Sequence, residues 1–441
     1  MKKTSFISFA RPVAWFVRIW AVLMICLLAT TWRLWTLQTD FPAIPLFNWL
    51  ADVPVLADMV LFTGMLASLL AIAGKGYDSE STSRLVAVSI GMFFVCAIGA
   101  VLLNQHRLQP WLWQSLIVSS VLLTSVVAKK QSAVIPQSML RLVFLATYLY
   151  SAASKFDYQF VNTVGLDMVR ALVGLVGIPA ANVSEDTGKW LACLLPAYEW
   201  IMALGLVFNS TRKLAAVAGM AMHILLIAMF LSIGQMPPVV IWNLLFLVAL
   251  VCLFLNESAG QGVSIGKWVR ETSLLQKSLM LFVVAFPATN LAGVADHWLA
   301  WRVYAPNNSR VIVKFLPEND HVNEHAQEFD DRSGGLDGQS FSIAEWSLRA
   351  VGVPVYPEDR FQLGVFLTIA QNREMRNGIV VALQSESSPW DGSRDEIVLK
   401  GVEEMHEAAA EFRLGTAPRT ASLRNIDAES QRGVGEPGAD D

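Results

Sequence analysis

The sequence predicts an all-α polytopic membrane helix bundle of about nine transmembrane helices, followed by a small α+β extracytoplasmic domain and a disordered tail. Three observations carry this. The 441 residues are 54% hydrophobic and only 16% charged, with a mean hydropathy of +0.45, above the roughly 45 to 50% apolar share of soluble chains. Apolar runs long enough to cross a bilayer recur through the first 300 positions. The charge is partitioned: residues 300–441 hold 14 of the 33 Lys and Arg but 24 of the 37 Asp and Glu, leaving a basic front part and an acidic rear. Two units in different solvents explain that split, residues 1–299 in lipid and 300–414 in water, with 415–441 as the tail. Nothing in the pattern points to a nucleic-acid partner; the partner it requires is the lipid bilayer.

Met1-Lys2-Lys3, Arg11 and the apolar run after them resemble a secretory signal. The run from Val13 to Trp32 is spanning length, carries Arg18 and lacks a small-residue cleavage site, so it reads as an uncleaved first helix. Further spans fall near 55–73, 85–103, 111–128, 139–156, 190–208, 213–232, 238–256 and 278–298. Phe41–Trp49 is short and 164–181 is interrupted by Asp167 and Arg170, so both are expected to lie in the interface or re-enter. Lys and Arg gather in alternate loops, at Lys2, Lys3 and Arg11, Lys75 and Arg84, Lys129 and Lys130, Arg212 and Lys213, and Lys267 to Lys277. Because such residues favour the cytoplasmic side, the N-terminus is expected there and the acidic domain outside, the membrane being the plasma membrane if the chain is bacterial.

In the rear part, Arg310–Leu316, Phe361–Ala370 and Gly378–Gln384 have strand composition, and short helices are expected over Ala344–Ala350 and Val402–Phe412. From Gly415 onward the chain has too little apolar surface to offset ordering entropy. Cys26, Cys96, Cys193 and Cys252 each sit alone in an apolar run and read as small core residues, with no CxxC pair or zinc spacing.

Ionisable groups inside spans are costly and tend to be paired or functional. Tyr148, Ser151 and Lys155 are spaced to share one helix face, with Lys155 at its outer end. Glu199 lies one turn past Pro196, His223 near mid-depth of its span, and Asn243 one turn into the next. Between the third and fourth spans, His106, Arg107 and Gln109 crowd a short loop. These groups are expected to converge on a cavity in the outer half, with Lys155, Glu199 and His223 as catalytic candidates and His106, Arg107, Gln109, Tyr148 and Asn243 as ligand-binding ones. A histidine beside a carboxylate can shuttle protons near neutral pH. The alternative is that the same groups only tie helices together.

His321-Val322-Asn323-Glu324-His325 matches the H-x-x-E-H zinc pattern, but its surroundings are polar, acidic and without helical periodicity, so a solvated loop is expected and no metal is assigned. The Asn182 and Asn307 sequons matter only in a secretory pathway.

The stretch Tyr148-Leu149-Tyr150-Ser151-Ala152-Ala153-Ser154-Lys155-Phe156, with Glu199, His223 and Trp242-Asn243 after it, resembles the horizontally transferred transmembrane (HTTM) family, which includes vitamin K-dependent gamma-carboxylase. It is similar also to DoxX-like and MauE-like membrane proteins. The likeness covers roughly residues 100 to 255. It implies a bundle with an extracytoplasmic domain, a reduced quinone as cofactor and Lys155 as the base that activates it. The rear domain here is much shorter than the carboxylase's lumenal part, and nothing identifies a propeptide-binding surface. The DoxX and MauE comparison implies an accessory to thiol or quinone redox chemistry, and the isolated cysteines do not favour direct thiol exchange. The expected function is a membrane protein whose outward cavity binds a small or lipidic ligand, a quinone among the candidates. The alternatives are a proton-coupled transporter and a membrane-anchored interaction protein.

Overall fold

The first long helix, α1 (Arg11–Thr30), takes Pro12 in its opening turn, where a missing N–H leaves no helical bond unmade. Its buried side chains, among them Val13, Phe16, Trp20, Met24 and Leu27, recur every three or four residues and place one face at the bundle centre. The computed structural model describes residues 10–37, 41–74, 80–128, 132, 134–235, 237–256, 265–315, 340–372 and 379–420. Nine further long helices follow: α2 (Val55–Gly74), α3 (Glu80–Leu103), α4 (Pro110–Val127), α5 (Val134–Ala153), α6 (Val164–Leu175), α7 (Glu185–Val207), α8 (Arg212–Ser232), α9 (Pro237–Ala249) and α10 (Leu274–Ala285). Helix α1 packs on α2 and α9, while α7 packs on α5, α6 and α8.

Among the described residues eight helices are long and apolar enough to cross a membrane, against the nine expected. Helix α5 has the length but not the composition, because Gln137 and Arg141 lie on it. The reason is local: α9 continues as a π-helical turn, Leu250–Leu255, and the Leu253 carbonyl accepts from Gln137 Nε2 at 2.9 Å and Arg141 Nε at 2.5 Å. A π turn frees backbone groups that need outside partners, and α5 supplies them. The interrupted segment at 164–181 forms the 12-residue α6, about 18 Å long and too short to cross.

The rear domain is a four-stranded antiparallel sheet, in the order β2 (Ser340–Phe341), β1 (Arg310–Phe315), β3 (Ile379–Gln384), β4 (Glu396–Lys400). Val313 pairs with Val381, and Val381 in turn with Leu399, so these apolar side chains share one face. Helices α11 (Ile343–Ala350), α12 (Asp359–Asn372) and α13 (Gly401–Ala410) complete the domain. The strand expected at Phe361–Ala370 is therefore a correction: it is helix α12. Burial of Phe361, Leu363, Val365, Phe366, Leu367 and Ala370 explains the error, since an apolar run buried all round has no period to read. The zinc-like pattern at 321–325 lies outside the described residues.

The domain seats on one end of the bundle. Loops after α1, α3 and α5 all touch it: Phe41 stacks on Phe361, His106 Nε2 lies 3.0 Å from the Pro354 carbonyl, and Tyr158 N donates to Pro389 O at 2.8 Å. The disordered tail expected from Gly415 also needs correcting, because 415–420 form a strap on the first loop. Gly415 N donates to Leu46 O at 2.8 Å, Thr416 N to Asn48 Oδ1 at 3.2 Å and Arg419 N to Ala43 O at 2.9 Å. A Cβ at Gly364 would stand 2.4 Å from the Thr416 carbonyl, so α12 meets the strap where only glycine fits. Residues 421–441 lie outside the described part.

A polar knot closes the junction. His297 sets Nδ1 3.0 Å from Glu358 Oε1 and Nε2 3.2 Å from Glu386 Oε1, and Arg302 Nη1 reaches Glu386 at 2.8 Å. Burial opposes the charged imidazole, but the two carboxylates outweigh it and His297 is held above its ordinary pKa. Burial also works against the Glu386 carboxylate, yet His297 and Arg302 bring it down to about 2. A group whose pKa rises on folding stabilises fully below its unfolded value, near 6.5 for histidine, and stops doing so as pH passes the raised value. The melting temperature should accordingly fall from pH 6 to pH 9 more steeply in the wild type than in His297→Gln; parallel curves would show that the imidazole is not the titrating group.

Candidate functional site

Helix α5 ends at Ala153 and Lys155 lies just beyond, where its side chain folds back along the last turn. Its ammonium donates to Ser151 Oγ at 2.6 Å, to the Ser151 carbonyl at 3.1 Å and to Glu199 Oε2 at 3.0 Å. Both side chains are largely buried. Three N–H groups and three acceptors make a fully engaged ammonium. The mid-bundle carboxylate thus has its counter-charge in Lys155, not in a histidine.

His223 on α8 is held from two sides. Its Nε2 lies 2.7 Å from the Tyr148 hydroxyl and its Nδ1 2.7 Å from Asn243 Oδ1. The amide orientation of Asn243 follows from its Nδ2, which donates to the Val239 carbonyl at 2.8 Å. Oδ1 therefore accepts, His223 Nδ1 carries the proton, and Nε2 accepts from Tyr148. The imidazole stacks on Phe246 with centroids 4.9 Å apart. Behind it, Trp242 Nε1 donates to Gln114 Oε1 at 2.9 Å.

Lys155, Glu199, His223 and Asn243 border one cavity of about 520 Å³ between α5, α6, α7, α8 and α9. Most of its wall is aliphatic, from residues such as Val169, Leu172, Leu194 and Leu226. Ser151 and Tyr304 add further hydroxyls. The convergence expected of these four groups is what the fold delivers, with Tyr148 one bond behind the wall. A proton shuttle between His223 and the Glu199 carboxylate gains no hydrogen bond, because the histidine's nitrogens are taken by Tyr148 and Asn243.

The loop between α3 and α4 stands elsewhere. Arg107 is fully buried against Asp58 (2.6 Å) and the carbonyls of Leu34 and Trp35. His106 and Gln109 bond the Pro354 carbonyl, and Ser347 Oγ lies 3.2 Å from His106 Nε2. Burial lowers the His106 pKa to about 4, so this ring is neutral. His106 and Gln109 thus join the bundle to the sheet domain, while Arg107 is taken up by Asp58 and backbone carbonyls within the bundle.

Tyr304 and Asp58 escaped sequence reasoning. Tyr304 lies outside every apolar run, so no pattern singles it out. Asp58 had a usable signal, a lone carboxylate in the first turn of a spanning helix. Among the described residues no group of three or more His, Cys, Asp or Glu is placed to hold a metal. No family model matches the chain, nor does any curated protein or solved structure.

Proposed function

We propose that this chain is a multi-pass membrane protein, N-terminus cytoplasmic and sheet domain extracytoplasmic, whose cavity binds a lipidic ligand, a quinone among the candidates. The observation that carries the reading is the cavity itself: a largely apolar space of about 520 Å³ bordered by a Lys155–Glu199 pair and a fixed His223–Asn243 pair. A long apolar body with a compact polar head suits such walls. The Lys, Glu and His positions that resemble HTTM proteins are among those at the polar surface. A base role for Lys155 requires its proton to leave, and Glu199 is the acceptor in reach. The proton-coupled transport reading is less favoured, because Glu199 bonds Lys155 while His223 bonds Tyr148 and Asn243, so no hydrogen bond joins the two.

Filling the cavity tests the reading. Leu194→Trp puts an indole into the lipid-side wall. Solvent extraction and mass spectrometry of protein purified in nanodiscs should find an apolar molecule retained by the wild type and largely lost from the variant. Equal retention would remove the cavity as the binding place.

A further inference from the structure

Resting on the reading above, we infer that the cavity selects an amphiphile with a neutral, hydrogen-bond-donating head, an alcohol or phenol, over one with a carboxylate head. The inference comes from counting what the polar wall has left to offer. All three donors of Lys155 are spent, on Ser151 twice and on Glu199. An incoming carboxylate finds no free ammonium hydrogen. Glu199 uses only Oε2, and its Oε1 has no hydrogen-bond partner among the described residues. That oxygen accepts and cannot donate, so it calls for a donor on the ligand. A second carboxylate in this apolar space would face Glu199 as a like charge with the one local cation already matched.

The second polar residue is Tyr304, whose hydroxyl makes no hydrogen bond among the described residues. It comes from outside the bundle on a turn in which Trp301 and Tyr304 are the non-glycine residues with positive φ, at 62° and 59°. Bulky side chains adopt that conformation at a cost and keep it where surrounding contacts hold it. Here Tyr304 is stacked on Phe230, with centroids 5.8 Å apart. That stack holds Tyr304 in the cavity lining, and its hydroxyl can both donate and accept.

Access fits the same ligand. Leu194 and Leu225 line the cavity yet are 60% and 54% exposed on the flank of the bundle. The mouth therefore opens on the apolar surface that lipid would cover, and a head that crosses hydrocarbon to reach Glu199 is best uncharged.

The test uses deuterated 1-dodecanol and dodecanoate, equal in chain length, with the full chain in nanodiscs and native mass spectrometry to count bound probe. At equal concentration the wild type should retain dodecanol over dodecanoate by roughly tenfold, a difference of one like-charge contact. Glu199→Gln, which frees Lys155, should narrow or reverse that ratio. Tyr304→Phe changes a different element and should lower dodecanol retention several-fold. Equal or better retention of dodecanoate by the wild type overturns the head-group inference but leaves the cavity a lipid site. If the wild type binds neither probe and Leu194→Trp behaves the same, both ideas fall.

Discussion

Asp58→Ala should destabilise the protein by about 3–5 kcal/mol, the cost of leaving a buried charge without its partner. Asp58 gives one oxygen to Arg107 and the other to Arg419, each at 2.6 Å, and all three side chains are buried. Without the carboxylate two guanidinium groups remain in the interior with like charge and no counter-ion. Arg419→Met should cost far less, because Asp58 and Arg107 then remain as a neutral pair. Unfolding of the two variants in one detergent measures the contrast. Losses of equal size would mean that the strap, not the charge balance, sets the energy.

Arg360→Met should open the junction between sheet domain and bundle, with a loss of about 3 kcal/mol. Arg360 binds both oxygens of Asp296, lies 3.5 Å from Glu358 and donates to Gln105 Oε1 at 3.0 Å. Tyr356 donates to the same Asp296 at 2.5 Å. One substitution thus strands groups from the bundle loop, the segment after α10 and α12 together. Hydrogen exchange should quicken in α11 and α12 while α1 and α2 keep their protection. Uniform protection throughout would place the junction's strength in its apolar contacts, such as Phe41 against Trp346 and Phe361.

The spans were legible because length and hydropathy are properties of a continuous stretch, and eight of the nine expected helices meet that description. The cavity was half legible. Lys155, Glu199, His223 and Asn243 stand out as polar groups in apolar runs, but their pairing depends on which helix faces which, and α5 meets α7 while α8 meets α9. Nothing local distinguishes a Glu199–Lys155 pair from a Glu199–His223 pair. The dense loop at 104–109 misled for a related reason: hydrogen-bonding groups serve a domain junction as well as a ligand. The 361–370 segment shows the limit for soluble parts, where even burial erases the period that separates strand from helix. Arg419 had no signal at all, since its partner lies 361 positions away.

That separation orders events during synthesis. Asp58 and Arg107 emerge early and close to each other, so the first helices can neutralise their buried charge while the ribosome is still working. Arg419 arrives after the bundle and sheet domain, and its net positive charge is tolerated only by docking at Asp58 and the Val53 carbonyl. Seating of the strap is thus a late step that fastens a later-made piece to an earlier one, and a probe on residues 415–420 would report when strap and first loop have joined.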